Sequence, residues 1–250
     1  MRRAVTDETA SEKLKLTGER TLPGIPEENY WFQRHVIAYR FAGRLVRGGA
    51  VLDAGCGEGY GTEMLAGDAA SVVGLDLEPD VIDQARARYP HVRFEVADLL
   101  ELPFPEAHFD GVVTLQVIEH LHRPIEFISE IARVLKPGGT LVLATPNRLT
   151  FSPEGIRNPF HTVEFAPADL RAVLEPKLHI ERLAGTFHGA RLRLIETLTR
   201  GSFWERQIAQ PVPEWPGWLR RAVASVRPED FRIRDARVDR SLDLIAVARR

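Results

Sequence analysis

The stretch Ala50-Val-Leu-Asp-Ala-Gly-Cys-Gly-Glu-Gly-Tyr-Gly-Thr62 leaves a folding chain few options. Val51 and Leu52 close a short apolar run, Asp53 stands where such a strand would stop, and Gly55, Gly57, Gly59 and Gly61 strip the following turn of side chains. Glycine permits positive φ and close approach of backbone to a ligand. From Tyr60 to Ala66 the spacing turns helical, so the loop is expected to present free N–H groups of a helix N-terminus to whatever it holds. A strand, a glycine turn and a helix make a nucleotide-type pocket at the carboxyl edge of a sheet. Two nucleotide fingerprints fail here. The dinucleotide loop needs glycine at its first, third and sixth positions, and the sixth counted from Gly55 is Tyr60. A P-loop needs Gly-Lys followed by Ser or Thr, and no lysine lies between Lys15 and Lys136. What remains is Asp-x-Gly-x-Gly-x-Gly.

The rest of the chain supplies strands and helices in alternation. Glu27 to Arg47 reads as a helix, with Tyr30, Trp31, Ile37, Ala38, Phe41 and Leu45 at mostly helical spacings, ended by Gly48-Gly49. Its aromatics either pack on the core or, with Glu19, Arg20 and Arg34, form a lid over the pocket. Apolar strands are expected at Ser71–Asp76, Val92–Val96, Phe109–Leu115, Thr140–Ala144, Leu178–Phe187 and Ser241–Ala248, besides the run ending at Asp53. Helices are expected at Val81–Arg88, Pro124–Leu135, with Ile125, Phe127, Ile128, Ile131 and Leu135 inward, and Ala166–Leu174. Arg191–Gln210 reads as a helix interrupted near Gly201. Short buried strands separated by helices of about ten residues argue a mostly parallel sheet covered on both faces. The fold class expected is α/β, a seven-stranded Rossmann-like sheet whose last strand returns antiparallel between the fifth and sixth. Residues 1–17, polar and without periodicity, read as a disordered N-terminus; 18–48 as a lid segment; and 49–250 as the main domain, with an insertion at about 190–235.

Composition narrows the function classes. Thirty-three basic against 35 acidic residues give a net charge of −2, which argues against binding through wide phosphate contacts. Arg220 to Arg250 holds nine arginines against five acidic residues, a composition more typical of a solvated face than of a nucleic-acid groove. The single cysteine, Cys56, excludes an internal disulfide and lies where backbone contact matters more than thiol chemistry. No apolar run reaches the roughly 18 residues of a membrane span, and the first 20 residues carry no signal-peptide core, so a cytoplasmic protein is expected.

Asp-x-Gly-x-Gly-x-Gly at Asp53–Gly59 resembles the loop of the class I S-adenosylmethionine (SAM) methyltransferases, of the type 11-like group. The resemblance implies that Asp53, Gly55, Cys56 and Gly57 hold the methionine end of SAM. Asp76 follows Asp53 by 23 residues at the end of the next strand, where an acidic side chain accepts from ribose hydroxyls, with Leu77 beside it. The same resemblance assigns Asp98 and Leu99 to adenine and places Gln116 near the sulfonium; the other reading of Asp98 is a turn or cap aspartate. SAM is thus the expected cofactor and S-adenosylhomocysteine (SAH) its product.

Methyl transfer to a hydroxyl needs a base beside the methyl group. Glu119, His120 and His122 follow the fourth strand, and His161 lies in a long loop able to fold back over them. His120 is the first choice as base, His161 a second base or orienting partner, and Glu119 a group that holds an imidazole or packs. His122 reads as surface. Val117-Ile-Glu-His-Leu with a downstream His-x-x-Glu-Phe is also similar to the small-RNA 3′-terminal 2′-O-methyltransferases, in which two glutamates and two histidines bind a metal. Glu119, His120 and His161 match, but Gln116 replaces the first glutamate, which weakens a site for a hard cation such as Mg²⁺.

Over most of its length the chain resembles one narrower bacterial group. The segments Thr17-Gly-Glu-Arg-Thr-x-Pro-Gly, Glu28-Asn-Tyr-Trp-Phe, Gln116-Val-Ile-Glu-His-Leu, Thr145-Pro-Asn-Arg-x-Thr-Phe-Ser-Pro, Asn158-Pro-Phe-His-Thr, Phe187-His-Gly-x-Arg-Leu and Ser241-Leu-Asp-Leu-Ile-Ala are similar to methyltransferases associated with methylglucose lipopolysaccharide assembly. That implies O-methylation of a sugar hydroxyl, with a small-molecule or saccharide acceptor as partner. Phe187, Phe203, Trp204, Trp215 and Trp218 could stack on a pyranose, or pack in the core. A module that binds SAM without turnover is the non-enzymatic alternative.

Overall fold

Each apolar run pairs with its neighbours at the register its alternation dictates. The computed structural model describes residues 21–154, 158–209 and 211–250. The expectation of a disordered 1–17, and Glu19 and Arg20 of the lid, lie outside the described residues. Strands β1 (Ala50–Ala54), β2 (Ser71–Asp76), β3 (Arg93–Val96), β4 (Phe109–Leu115) and β5 (Leu135–Pro146) form the parallel part. Three more, β6 (His179–His188), β7 (Phe231–Arg234) and β8 (Asp243–Arg249), complete one sheet of order β3-β2-β1-β4-β5-β8-β6-β7. As expected, the last strand enters antiparallel between β5 and β6.

The sheet has eight strands among the described residues, one more than expected. The additional one, β7, pairs antiparallel with Gly185–His188 at the sheet edge. Its four residues, Phe-Arg-Ile-Arg, give too short an apolar pattern to read as a strand, and arginines are a common way to blunt an edge. β5 also begins earlier than expected: Leu135 pairs with Phe109 and Thr140 with Gly111, so Lys136–Gly139 bulges out as the turn its glycines required.

Helices cover both faces. α1 (Asn29–Leu45) and α2 (Tyr60–Ala66) bring Ala38, Tyr39, Ala42 and Leu65 against Val51, Val113, Val142 and Ile245. α4 (Pro124–Val134) and, after the short α5 (Arg148–Phe151), α6 (Pro167–Leu174) lay Phe127, Ile128, Ile131, Leu170 and Leu174 on Leu52, Val112, Leu141, Leu143 and Leu244. Adjacent residues such as Val51 and Leu52 thus point to opposite faces, and both faces are apolar because both are covered. α3 (Pro79–Arg88) closes the β2–β3 end with Ile82 and Ala85 on Phe94. Ile125, expected inward, is 62% exposed, because in the first turn of α4 it lies off the stripe made by Phe127, Ile128, Ile131 and Val134.

The inserted segment folds as α7 (Ala190–Thr199), α8 (Phe203–Ile208) and α9 (Gly217–Ala224), with the break at Gly201 where it was expected. Phe203, Trp204 and Trp215 are buried together with Tyr30, Leu192, Leu219 and Phe231, which leaves them packing instead of presenting faces to a sugar. Trp218 alone of the five is exposed, at 37%. Asn29 Nδ2 donates to the carbonyls of Val223, Ala224 and Val226 and so ties the start of α1 to the end of α9. Tyr30, Arg34, Val36, Tyr39 and Ala42 are the large or polar residues that α1 buries. Among the described residues no helix is long and apolar enough to cross a membrane.

Candidate active site

The site is assembled where the strand order reverses, between β1 and β4, the position at which open α/β sheets bind ligands. Gly55, Gly57 and Gly59 take φ of 82°, 50° and 79°. A Cβ on Gly55 would stand 2.4 Å from Val117 Cγ2, and one on Gly59 2.7 Å from the Phe94 ring, so these two are needed for close packing. A Cβ on Gly57 would meet nothing within 4 Å. That position faces open space. At the start of the loop, ahead of the helix N-terminus at Tyr60, the Gly55 and Cys56 amides donate to Leu75 O (2.8 and 2.7 Å) and the Gly57 amide to Asp76 Oδ2 (2.9 Å). The β1 and β2 ends are thereby bound to one another.

Asp53 is fully buried beneath the loop, accepting from Thr62 Oγ1 at 2.7 Å and from the Tyr39 hydroxyl at 3.2 Å. Burial pushes its carboxyl up to about 7. Cys56 is buried as well, and burial raises its thiol far above the ordinary range, which removes it as a nucleophile. Asp76 accepts from the Gly57 and Glu78 amides, and Leu77 beside it is 61% exposed. Asp98 is exposed and Leu99 buried; Asp98 Oδ1 accepts from the Leu100 amide at 2.8 Å, so it makes the aspartate turn while the rest of the carboxylate faces solvent.

Gln116 follows β4 with φ of 59°, a left-handed conformation uncommon for a side-chain-bearing residue and often found at functional sites. Its backbone amide donates to Ala144 O, and its Nε2 donates to Asp243 Oδ1 at 3.1 Å. The same oxygen accepts from Arg34 Nη2 at 2.7 Å, both side chains being 3% exposed. The Arg34 guanidinium lies 4.9 Å from the ring centres of both Trp31 and Phe151.

Three residues on, a 3₁₀ turn at Ile118–His120 carries Glu119 inward. Its carboxyl is 1% exposed and accepts from Thr145 Oγ1 at 2.9 Å, while Oε1 is buried without a partner and burial pushes the group up to about 8. The expectation that Glu119 holds an imidazole is corrected: its partner is Thr145. The loop from Asn158 does fold back, because the Thr162 and Val163 amides and Thr162 Oγ1 all donate to Glu119 O. That docking sets His120 and His161 edge to face with ring centres 5.2 Å apart.

Hydrogen-bond partners fix how both rings carry their protons. His120 Nδ1 lies 2.9 Å from Phe160 O, a carbonyl that can only accept, so Nδ1 donates, and in the neutral ring the lone pair is on Nε2. His161 Nδ1 likewise faces Glu164 Oε1 at 3.2 Å, and burial holds this imidazole below its ordinary pKa. One ligand atom from each of Glu119, His120 and His161 lies within 4.8 Å of the others. The carboxylate that orients His161 is therefore Glu164, whose spacing in His-x-x-Glu was the available signal. Thr62, Thr145 and Asp243 gave no signal of their own, since each acts through a partner distant in sequence.

The open glycine position, the carboxylate at the β2 end and the exposed apolar side chain after it suit a nucleoside with an aminoacyl tail. The model for a methyltransferase domain matches residues 52–143. A probable S-adenosylmethionine-dependent methyltransferase of Mycolicibacterium smegmatis is 45% identical over 97% of this chain and 97% of its own length. A probable S-adenosylmethionine-dependent methyltransferase of Mycobacterium tuberculosis is 43% identical over 94% of this chain and 89% of its own. The chain belongs to the SAM-dependent methyltransferases and is a methyltransferase enzyme. Solved structures agree at the level of fold: an S-adenosylmethionine-dependent methyltransferase from Mesorhizobium loti superposes with a TM-score of 0.56 at 20% identity, covering 85% of this chain and 98% of its own. The [4+2]-cyclase SpnF does so with 0.59 at 21%, covering 87% and 81%, so this fold is not confined to one chemistry.

Proposed function

We propose that the enzyme transfers the methyl group of SAM to a hydroxyl of a sugar or oligosaccharide. The observation that carries this reading is the pair of imidazoles, each with Nδ1 engaged and Nε2 free, beside the end of β4. An O-methyltransferase needs such a base, because the hydroxyl must lose its proton as it attacks. SAM, when bound, supplies a methyl group on a sulfonium leaving group. Asp53 would hold the loop formed by Gly55, Cys56 and Gly57 against the methionine end; Asp76 and Leu77 would take the ribose, Asp98 and Leu99 the adenine, and Gln116 the region of the sulfonium. His120 Nε2 accepts the hydroxyl proton, and His161, steadied by Glu164, orients the acceptor oxygen. Glu119 sets the turn that presents His120 and, with its carboxyl held by Thr145, keeps the base from rotating.

The sugar reading rests on the segments shared with the methylglucose-associated enzymes, and a partial relative, the O-methyltransferase cnsE of Penicillium expansum, is 36% identical over 39% of this chain. Labelled-methyl transfer from SAM into methylglucose oligosaccharides, compared with short RNAs, tests it. Transfer into the saccharides supports the reading, and transfer into RNA alone overturns it.

One observation favours a metal-dependent reading of the same groups, with an RNA end as acceptor: the closeness of the Glu119, His120 and His161 ligand atoms. Two imidazoles and a carboxylate suit a borderline transition ion better than Mg²⁺. Against it, Gln116 stands where a second carboxylate is needed and is bonded to Asp243. Chelator would abolish transfer under this reading and leave it unchanged under the first.

A further inference from the structure

The inserted segment has an outer face that the reading above leaves without a task. Its inner side chains fill the cluster around Phe203 and Trp215, yet Leu194, Leu198, Ile208, Val212 and Trp218 are exposed. They are five of the eleven large apolar side chains exposed among the described residues, all within residues 190–227, and Leu198, at 74%, is the most exposed of the eleven. Single exposed hydrophobics need no explanation, but a group of them rimmed by polar side chains marks a docking surface.

Helical spacing and one arginine hold the group together. Leu194 and Leu198 lie four residues apart on α7, away from the buried Leu192, and so share its outward face. Arg206 of α8 donates through Nη2 to the carbonyl of Thr199, the residue after Leu198, and its guanidinium lies 5.9 Å from the Trp218 ring of α9. The end of α7, the turn of α8 that carries Ile208 and the start of α9 therefore meet around Arg206.

Charge on this face is one-sided. Residues 190–227 hold seven arginines and three glutamates, in a chain whose net charge is −2. Of the three, Glu196 is engaged by His188 and the Phe203 amide. Arg206 and Arg220 donate to backbone carbonyls, those of Thr199 and of Val212, Pro213 and Trp215, which fixes the guanidiniums without neutralising them. Arg193, Arg200 and Arg221 are exposed, and none of them is ion-paired among the described residues.

An anionic bilayer surface answers both properties. Its headgroups offer negative charge to several arginines at once, arginine stems lie along apolar surface while their heads stay in the headgroup layer, and Leu, Ile and Trp enter the acyl boundary. A second copy of the chain is disfavoured, because a two-fold contact sets the arginines against their own counterparts. A nucleic acid answers the charge but not the aliphatic side chains, since bases stack on aromatic rings. The face is also joined to the site. β6 runs in the direction of β5, both being antiparallel to β8, so α7 leaves the sheet at the edge that carries the glycine loop. Trp204 of α8 packs on Phe151, with ring centres 4.5 Å apart, at the head of the loop that brings His161.

We propose that the outer face of α7, α8 and α9 docks on an anionic phospholipid bilayer, with Leu194, Leu198, Ile208 and Trp218 in the acyl boundary and the arginines around them on the headgroups. Docking holds the glycine-loop edge of the sheet beside the bilayer. The inference stands apart from the sugar-hydroxyl reading, since vesicle binding needs neither acceptor nor turnover.

Cosedimentation of the full chain with phosphatidylcholine vesicles, with and without phosphatidylglycerol, reads the contact. Binding should be at least about tenfold tighter to the phosphatidylglycerol vesicles and should weaken with added salt, as several arginines near an anionic surface predict. Tryptophan emission should shift to the blue on these vesicles, and Trp218→Phe should remove most of that shift while binding persists. Leu198→Glu combined with Ile208→Glu, on side chains that stand in solvent, should lower vesicle affinity at least about tenfold with SAH affinity and Tm unchanged. Arg193→Gln combined with Arg221→Gln should lower the preference for phosphatidylglycerol. The proposal is overturned if the intact chain does not prefer the anionic vesicles, or if the folded Leu198→Glu, Ile208→Glu protein binds them as well as wild type does. Loss of a dimer in that variant, with no vesicle binding by the intact chain, also overturns it and gives the face to a second copy; binding of short RNA without vesicle binding overturns it in favour of a nucleic acid.

Discussion

His120 and His161 meet at 81° between ring planes, brought together by a loop whose amides cap the carbonyl of the residue beside the first of them. If this pair handles the acceptor proton, His120→Ala should lower kcat by about 10²- to 10⁴-fold with SAH affinity unchanged. His161→Ala should lower it less. Glu164→Gln keeps the size of the side chain that orients His161 and should fall between wild type and His161→Ala. Single-turnover rates beside calorimetric SAH binding decide this; normal turnover in both histidine variants would remove them from the chemistry.

Burial raises both Asp53, to about 7, and Glu119, to about 8, well above their ordinary values. In the window between the unfolded carboxylate range and these values the folded state binds more protons than the unfolded one, so stability falls as pH rises. The contribution is fully present below about pH 4 and is lost as pH passes through about 7 and then about 8. Melting curves of the cofactor-free protein from pH 5 to 9 should show Tm declining, apart from the effects of other groups. Glu119→Gln, which cannot ionise, should flatten the upper part of that decline. An unchanged slope in this variant would mean that the carboxyl is not buried in the acid form.

Asp76 joins the two halves of the cofactor loop, and its carboxylate is the acceptor proposed for ribose hydroxyls. Asp76→Asn should therefore weaken SAH by at least about tenfold, since each hydrogen bond to a charged group contributes about 1.5–3 kcal/mol. Asp98→Asn, on an exposed side chain that also makes a local turn, should weaken it less. Equal losses would argue that Asp76 acts through the loop alone.

Gly57 and Gly59 differ only in what surrounds them. Gly59→Ala must move Phe94 and Ala85, with which the new Cβ would stand at 2.7 and 2.9 Å, and the left-handed backbone adds about 1–2 kcal/mol. Its Tm should fall clearly below that of wild type. Gly57→Ala carries the backbone cost without the clash, so its thermal loss should be smaller while its SAH affinity drops as the methyl group enters the open space. Unaltered SAH binding by Gly57→Ala would place the cofactor elsewhere.

Asn29 satisfies three carbonyls at the end of α9 through one amide. Asn29→Ala leaves those groups partly unpaired and should cost about 1–3 kcal/mol. That loss should appear as a lower urea midpoint, with the cofactor loop intact as judged by SAH binding. An unchanged midpoint would mean that the inserted segment is held by its aromatic packing alone.

Much of this was legible in the chain itself. Val51-Leu52-Asp53 followed by alternate glycines gave the strand, the turn and the helix, because apolar runs and glycine act over a few residues. The alternation of strands with helices gave the parallel sheet, and Ser241–Ala248 read as the strand that returns between two others. The four residues of β7 were hidden by their arginines. Most of the site was hidden for a different reason. Arg34 and Asp243 are 209 residues apart, Glu119 and Thr145 26 apart, and Tyr30 and His188 158 apart, and no local pattern ties such pairs together. The sequence by itself determined the glycine loop, the succession of elements and the kinds of groups at the strand ends. Tertiary structure alone decided that Glu164 and not Glu119 orients an imidazole, that the aromatics after position 187 mostly fill a core, and that Arg34 shares Asp243 with Gln116, because burial and hydrogen-bond partnership depend on which distant surfaces meet.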